Sequence, residues 1–124
     1  MSTLPLISIV DDDDALKRSL ENLIRSVGWR AQGFASAEAF LSSPQVEEPA
    51  CLILDVRLSG ISGLELQRRL AAANSRIPII FITAHVDDGV RAQALQDGGV
   101  VAFLYKPFRE EELLDAINAA LQQS

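Results

Sequence analysis

The sequence predicts an α/β fold, a doubly wound sheet of five parallel strands in the order 2-1-3-4-5 with helices on both faces. Three observations predict it. Five short apolar runs each precede a stretch with helical spacing, the rhythm of βα units. Most of the runs are apolar nearly throughout rather than alternating, as strands covered on both faces are. The 124 residues suffice for one domain with a full core and are too few for two, so residues 1–124 form a single domain. Right-handed crossovers leave few topologies for such a chain, and 2-1-3-4-5 is a common five-stranded one.

In chain order, Leu4 to Val10 is the first strand and runs into Asp11-Asp12-Asp13-Asp14. Leu16, Leu20, Leu23, Ile24 and Val27 recur at helical spacing, and Gly28 stops that helix. Trp29 to Phe34 is short and mixed, as an outer strand is. Ser36 caps a brief helix carrying Ala39, Phe40 and Leu41, which Pro44 ends. Gln45 to Ala50, with two glutamates and Pro49, reads as a solvated loop. Cys51 to Leu54 is a buried strand that ends in a carboxylate, Asp55, before a loop with Gly60 and Gly63. Leu66 and Leu70 share one face of a third helix, with Arg68 and Arg69 turned elsewhere. Ile77 to Thr83 is the fourth strand, Val86 to Asp97 a weaker helix ended by Gly98-Gly99, and Val101 to Tyr105 the fifth strand. Glu110 to Gln122 closes the chain as a helix with Leu113, Leu114, Ile117, Ala120 and Leu121 facing inward.

Composition excludes several classes. Nearly half the residues are hydrophobic, against disorder, yet no apolar run reaches the ~20 residues of a membrane span. No basic region followed by a long apolar one marks a signal peptide. Acids outnumber Lys plus Arg by 17 to 11, for a net charge of −6, which disfavours nucleic-acid binding by this chain. The single cysteine, Cys51, lies in an apolar strand, reads as core, and fits a reduced cytosolic setting.

In open α/β sheets the chemistry sits at the carboxyl ends of the strands. Neighbouring first and third strands bring Asp11 and Asp12 beside Asp55 at the switch point, and Lys106-Pro107 follows the fifth strand. Crowded carboxylates repel, and a bound cation relieves them. Mg²⁺ suits the set because it takes one or two carboxylates, keeps waters and accepts phosphate oxygens. Asp14 is accounted for by the helix end it precedes, and Asp13 by both roles. Beside a metal and a lysine, Asp55 becomes a nucleophile toward a phosphoryl donor, Lys106 a compact positive charge, and Thr83 a hydroxyl donor to the same group.

Together these residues resemble the receiver domain of two-component response regulators, a flavodoxin-like fold. The match spans the chain in four pieces: Ile9-Val10-Asp11-Asp12-Asp13, Leu54-Asp55-Val56-Arg57-Leu58 through Ser62-Gly63, Ile82-Thr83-Ala84, and Phe103-Leu104-Tyr105-Lys106-Pro107-Phe108. The resemblance implies a cytoplasmic phosphorylation-dependent switch rather than an enzyme, in which Asp55 accepts a phosphoryl group from a sensor histidine kinase and the chain assists its own phosphorylation and dephosphorylation. It implies Mg²⁺, replaceable by Mn²⁺, held by Asp12, Asp55 and the backbone carbonyl of Arg57, with Asp11 acting largely through water. It implies phosphoryl contacts from Lys106 and Thr83, a cis bond before Pro107, and an inward turn of Phe103 that reshapes the face of the fourth helix, fifth strand and fifth helix. It implies an output domain or downstream protein that reads that face, and phosphorylation-dependent pairing of two copies through the fourth and fifth helices is a further expectation. The wording around Thr83-Ala84-His85 and Lys106-Pro107-Phe108 looks like receivers joined to DNA-binding output domains.

Three positions depart from the family pattern. Ser59 stands where proline is common, Gly99 follows Gly98 where Gly-Ala is usual, and His85 occupies a position that tunes access of hydrolytic water, although a solvated loop histidine fits it as well. For Phe103 an ordinary core aromatic is the competing reading, since strand alternation sets it beside Val101 and Tyr105. Other classes fare worse. A flavin binder needs a Gly/Ser/Thr-rich anion loop where four aspartates stand, and a haloacid-dehalogenase-type phosphatase, which Asp11 and Asp13 imitate, needs Thr or Val where Ala15 stands. A receiver that no longer accepts phosphate, acting as an interaction module, is the alternative that remains.

Overall fold

The structure, a computed structural model, describes residues 4–43 and 48–123. Over them run β1 (Leu6–Val10), α1 (Asp14–Ser26), β2 (Arg30–Phe34), α2 (Ala37–Ser42), β3 (Cys51–Asp55), α3 (Gly63–Ala72), β4 (Ile79–Thr83), α4 (Asp88–Asp97), β5 (Val100–Tyr105) and α5 (Glu110–Leu121). All neighbouring strands pair in parallel, in the order β2-β1-β3-β4-β5. Both the element sequence and the topology match the expectation. β1 and β4 begin two residues later than their apolar runs because Pro5 and Pro78 stand at the entrances. Each proline carbonyl accepts, from Arg30 and Leu52 respectively, but neither has an N–H to extend the ladder.

Side-chain caps set the helix starts. Asp13, Ser36, Ser62 and Asp87 accept from the backbone N–H of Leu16, Ala39, Glu65 and Val90 at 3.0–3.1 Å. Each satisfies a donor that the first turn leaves without a partner. Gly28 and the pair Gly98-Gly99 end α1 and α4 with positive φ, a region glycine enters without a side-chain penalty.

The sheet separates two apolar layers. Ile7, Ile9, Ile53, Ile80 and Ile82 face α1 and α5, which contribute Leu20, Ile24, Leu113 and Ile117. Val10, Leu52, Leu54 and Phe81 face the other side, where α2, α3 and α4 contribute Phe40, Leu66 and Ala94. Each of the large side chains removes roughly 1.5–3 kcal/mol of apolar surface energy from water. β3 is buried along its whole length, and Cys51 within it has its thiol pushed up to about 12 by burial, consistent with a core role.

Not every apolar residue of the helical runs turns inward. Val27 and Leu41 are exposed and Ala39 faces solvent, while Ala37 takes the buried place in α2. In α5 Ala116 is buried and Leu114 only half so. Pro44 and residues 45–47 of the anticipated loop lie outside the described residues; at its end Glu48 is exposed as expected, while Pro49 is buried. At β5 the ladder slips: Ile79 pairs with Val100 but Ile80 with Ala102. The slip sends Val101 to the α1/α5 layer and leaves Val100 on the face of Phe103, so plain alternation fails there.

The outer edge of β2 is closed by α1. Glu21 accepts from Gly33 N–H at 3.1 Å, and Arg25 donates to the Ala31 carbonyl at 2.8 Å. These bonds occupy backbone groups that an edge strand otherwise offers to another chain.

Candidate functional site

The parallel register sets three strand ends side by side. Val10 is level with Leu54, and Asp55 with Ile82, so Asp11 follows β1 next to the residue that ends β3. Thr83 is level with Tyr105, and its carbonyl accepts from Lys106 N–H at 2.7 Å. That bond fixes the backbone from which the Lys106 side chain reaches back across the sheet end.

The Lys106 ammonium donates to Asp55 Oδ2 at 2.9 Å and to Asp11 Oδ2 at 3.1 Å. Neither aspartate is left to water: Asp11 is 0 % and Asp55 6 % exposed. Their other oxygens are spoken for as well. Asp11 Oδ1 accepts from Asp13 N–H and Asp55 Oδ1 from Arg57 N–H, both at 2.9 Å. Burial raises the Asp11 carboxyl above its ordinary value, against the Asp13 N–H and Lys106, which pull it down. For Lys106 burial disfavours the ammonium, but the hydrogen bonds and charges of Asp55 and Asp11 outweigh it and hold the amine above its ordinary value. The lysine is therefore charged at neutral pH.

Asp12 completes the cluster from the solvent side. Among the described residues, Asp11, Asp12 and Asp55 each offer a carboxylate oxygen within 4.8 Å of the others. At an effective dielectric of ~20, two unit charges that close repel by about 3 kcal/mol. Three carboxylates against one ammonium leave two negative charges uncompensated, which a divalent cation would neutralise. An all-oxygen set of this size fits Mg²⁺ and equally Mn²⁺, and the fit rests on the donor chemistry of these residues. Arg57, whose carbonyl belongs to the same turn, has an exposed side chain.

The remaining candidates sit around this group without joining it. Thr83 is 2 % exposed, and its hydroxyl closes a turn with His85, accepting from its N–H at 3.2 Å and donating to its carbonyl at 3.4 Å. The His85 side chain faces solvent. Phe103 is half-buried, its ring 5.6 Å from those of both Phe81 and Tyr105. The Lys106–Pro107 peptide is cis. A hollow of about 460 Å³ opens beside it, lined by Asp13, Leu16, Ala84, Lys106, Pro107 and Phe108. Asp13 caps α1 and Asp14 pairs with Lys17 at 3.0 Å, so the second half of the acidic run serves the helix.

Two side chains near this frame escaped the sequence reading. Gln67 is 2 % exposed and donates through Nε2 to the carbonyls of Ala94 and Gly98 at 2.9 and 2.8 Å, tying α3 to the end of α4. The signal was present, since Gln67 shares the inward stripe of Gly63 and Leu70 at helical spacing. Glu38 of α2 accepts from Ile61 N–H at 3.2 Å, across 23 residues, and no local pattern announces it.

Residues 7–118 match the family model described as response regulator receiver domain, and the chain belongs to that family. Nodulation protein W of Bradyrhizobium diazoefficiens is 49 % identical over 122 residues, 98 % of this chain and 53 % of that protein. The transcriptional regulatory protein FixJ of the same organism is 36 % identical over 124 residues, 100 % of this chain and 60 % of that protein. The solved structure of response regulator StyR superposes with a TM-score of 0.89 at 44 % identity, covering 98 % of this chain and 61 % of that one. The chain thus spans little more than half the length of these relatives. Receiver domains of this family are signalling modules of two-component systems, and no helix among the described residues is long and apolar enough to cross a membrane.

Proposed function

We propose that this chain is a cytoplasmic phosphoacceptor switch, a single receiver domain over residues 1–124, in which Asp55 takes a phosphoryl group from a sensor histidine kinase. The observation that carries the reading is Lys106 held between Asp11 and Asp55 at the carboxyl end of the sheet, with a third carboxylate, Asp12, in reach. Asp11, Asp12, Asp55 and the Arg57 carbonyl would hold Mg²⁺ or Mn²⁺. When bound, the cation supplies positive charge against the anionic phosphoryl oxygens.

The chain's own residues do the rest. The turn bond from Arg57 N–H and the Lys106 ammonium fix the rotamer of Asp55, so that its carboxylate meets the donor already oriented. One carboxylate oxygen forms the O–P bond as the donor's N–P bond breaks, and the leaving imidazole nitrogen keeps the electron pair. Lys106 then exchanges its contact with the Asp55 oxygen for one with the phosphoryl oxygens. Thr83 gains a better acceptor in the phosphoryl group than the 3.4 Å bond to the His85 carbonyl. Leaving that turn shifts the segment ahead of α4, and Phe103 turns inward into the space that Thr83 vacates. The changed α4–β5–α5 face controls an output domain or a downstream protein and lets two copies pair. This domain makes no nucleic-acid contact itself, and His85 sets the access of hydrolytic water. The coupling between phosphorylation and partner binding is about 1–3 kcal/mol, as is usual for such switches.

Intact-mass measurement after incubation with acetyl phosphate and Mg²⁺ tests the reading. One added phosphoryl group is expected on the wild type and none on Asp55→Asn. An unmodified wild type would overturn it in favour of a non-phosphorylated interaction module.

A further inference from the structure

We infer that Glu38 is a positioning residue for the acidic pocket: it fastens the turn that carries Arg57 and so sets how tightly the pocket takes a divalent cation. The inference rests on the pocket being a cation site, as argued above. After β3 the backbone runs through residues 56–62 before α3 begins. The ends of this turn are tied, by Arg57 N–H to Asp55 Oδ1 at 2.9 Å and by Gly63 N–H to the Val56 carbonyl at 3.0 Å. In between, Leu58 and Ile61 rest on the apolar layer, which sets the depth of the turn but not the direction of its peptide groups. Among the described residues, the hydrogen bond that joins residues 58–61 to another element is the one from Ile61 N–H to Glu38 Oε2 at 3.2 Å.

A second observation places the same carboxylate against the turn. Gly60, at φ +78°, passes so close under the Glu38 carboxylate that a Cβ there would collide with Oε2 and crowd Oε1. The positive φ favours glycine here, and a Cβ would push the flexible end of the Glu38 side chain off the turn. Ser59, Gly60 and Ser62 give the turn little stiffness of their own. Without Glu38 the Arg57 carbonyl would have to be ordered as the cation binds, and that cost appears as lost affinity. Partners that orient a ligand from outside are typically worth about 10–100-fold in metal affinity, and an exposed bond belongs at the lower end.

The bland account is that Glu38 is an acid in the first turn of α2, favoured by the helix dipole. Titration calorimetry with Mg²⁺ alone separates the two. Glu38→Gln keeps the acceptor oxygen and loses the charge, and should stay within about twofold of wild type, whereas Glu38→Ala should bind about tenfold more weakly. The Ile61 amide resonance should move in Glu38→Ala and hold in Glu38→Gln. Gly60→Ala attacks the same contact from the turn side, and its loss should not add in full to that of Glu38→Ala. Equal affinity in wild type and Glu38→Ala, or equal losses in Glu38→Ala and Glu38→Gln, would overturn the role of Glu38 while leaving the pocket standing. A wild type that takes up no Mg²⁺ would overturn both.

Discussion

α1 and α4 occupy opposite flanks of the same sheet, yet they are held in different ways. α1 buries Leu20 and Ile24, packs Leu16 and Leu23 on the core, and bonds through Glu21 and Arg25 to the backbone of β2. α4 buries Ala94 alone, leaves Leu95 52 % exposed, and meets α3 at its last turn through Gln67 and an Arg68–Asp97 ion pair at 3.2 Å. β3 is buried along its whole length, whereas every residue of β5 is half-exposed. Asp11 and Asp55 of the acidic pocket thus follow tightly packed strands, whereas Lys106 follows the half-exposed β5, and α4 beside it is the loosely held helix. An element that moves has to be drawn from the low-stability end of a structure.

Truncation of the tight flank is the severest way to break this contrast. Ile24→Ala removes a fully buried side chain between α1 and the sheet and should cost about 2–5 kcal/mol by urea denaturation. A cost below about 1 kcal/mol would mean that α1 is no better anchored than α4. Next comes the anchor of the loose flank. Gln67→Leu leaves the Ala94 and Gly98 carbonyls without their donor and should cost about 2 kcal/mol. Amide exchange should then rise along α4 while α1 and β3 keep their protection. Uniform acceleration everywhere would show that Gln67 supports the global fold instead.

How legible was this division in the sequence? Wherever a strong local signal coincides with a tertiary demand, it was plain. Asp55 closes an apolar run, the aspartate run closes another, and Lys106 a third, so one topology brings all of them together. The weakness of α4 could be read from Gly89 and from its scarce apolar spacing. What stayed hidden depends on contacts between distant segments. The slip between Ile79 and Ile80 moves Val101 off the face of Phe103, and Gly98-Gly99, which lie next to it, read in the sequence only as the end of a helix. Glu38 looks like any solvated helix acid until α2 is packed over Gly60. Thr83 was legible as a strand-end hydroxyl, but its bond with His85 depends on how the loop folds back.

The pocket supplies a gentler perturbation. If its uncompensated carboxylates are what the cation relieves, Mg²⁺ at ten times its Kd should stabilise the fold by RT ln 11, about 1.4 kcal/mol. Asp12→Asn should remove most of that gain, because Asp12 contributes to the cluster from the solvent side without taking part in the Lys106 bonds. Thermal unfolding with and without Mg²⁺ reads both, and an unchanged gain in Asp12→Asn would place the ion elsewhere.

The smallest expected effect sharpens the comparison most. Leu95 and Val86, 52 % and 74 % exposed, add little to the core, so Leu95→Ala and Val86→Ala should change stability by no more than ~0.5 kcal/mol. Just past the end of α1 the exposed Val27, at 45 %, should behave alike, which makes it a control for surface apolar groups in general. Sedimentation in the presence of beryllofluoride, a stand-in for the phosphoryl group, separates the two flanks. If the α4 side is the face that pairs, Leu95→Ala should weaken association while Val27→Ala leaves it intact. Equal association in both variants would mean that the exposed side chains of α4 are ordinary surface, and that the loose packing of this flank serves motion rather than contact.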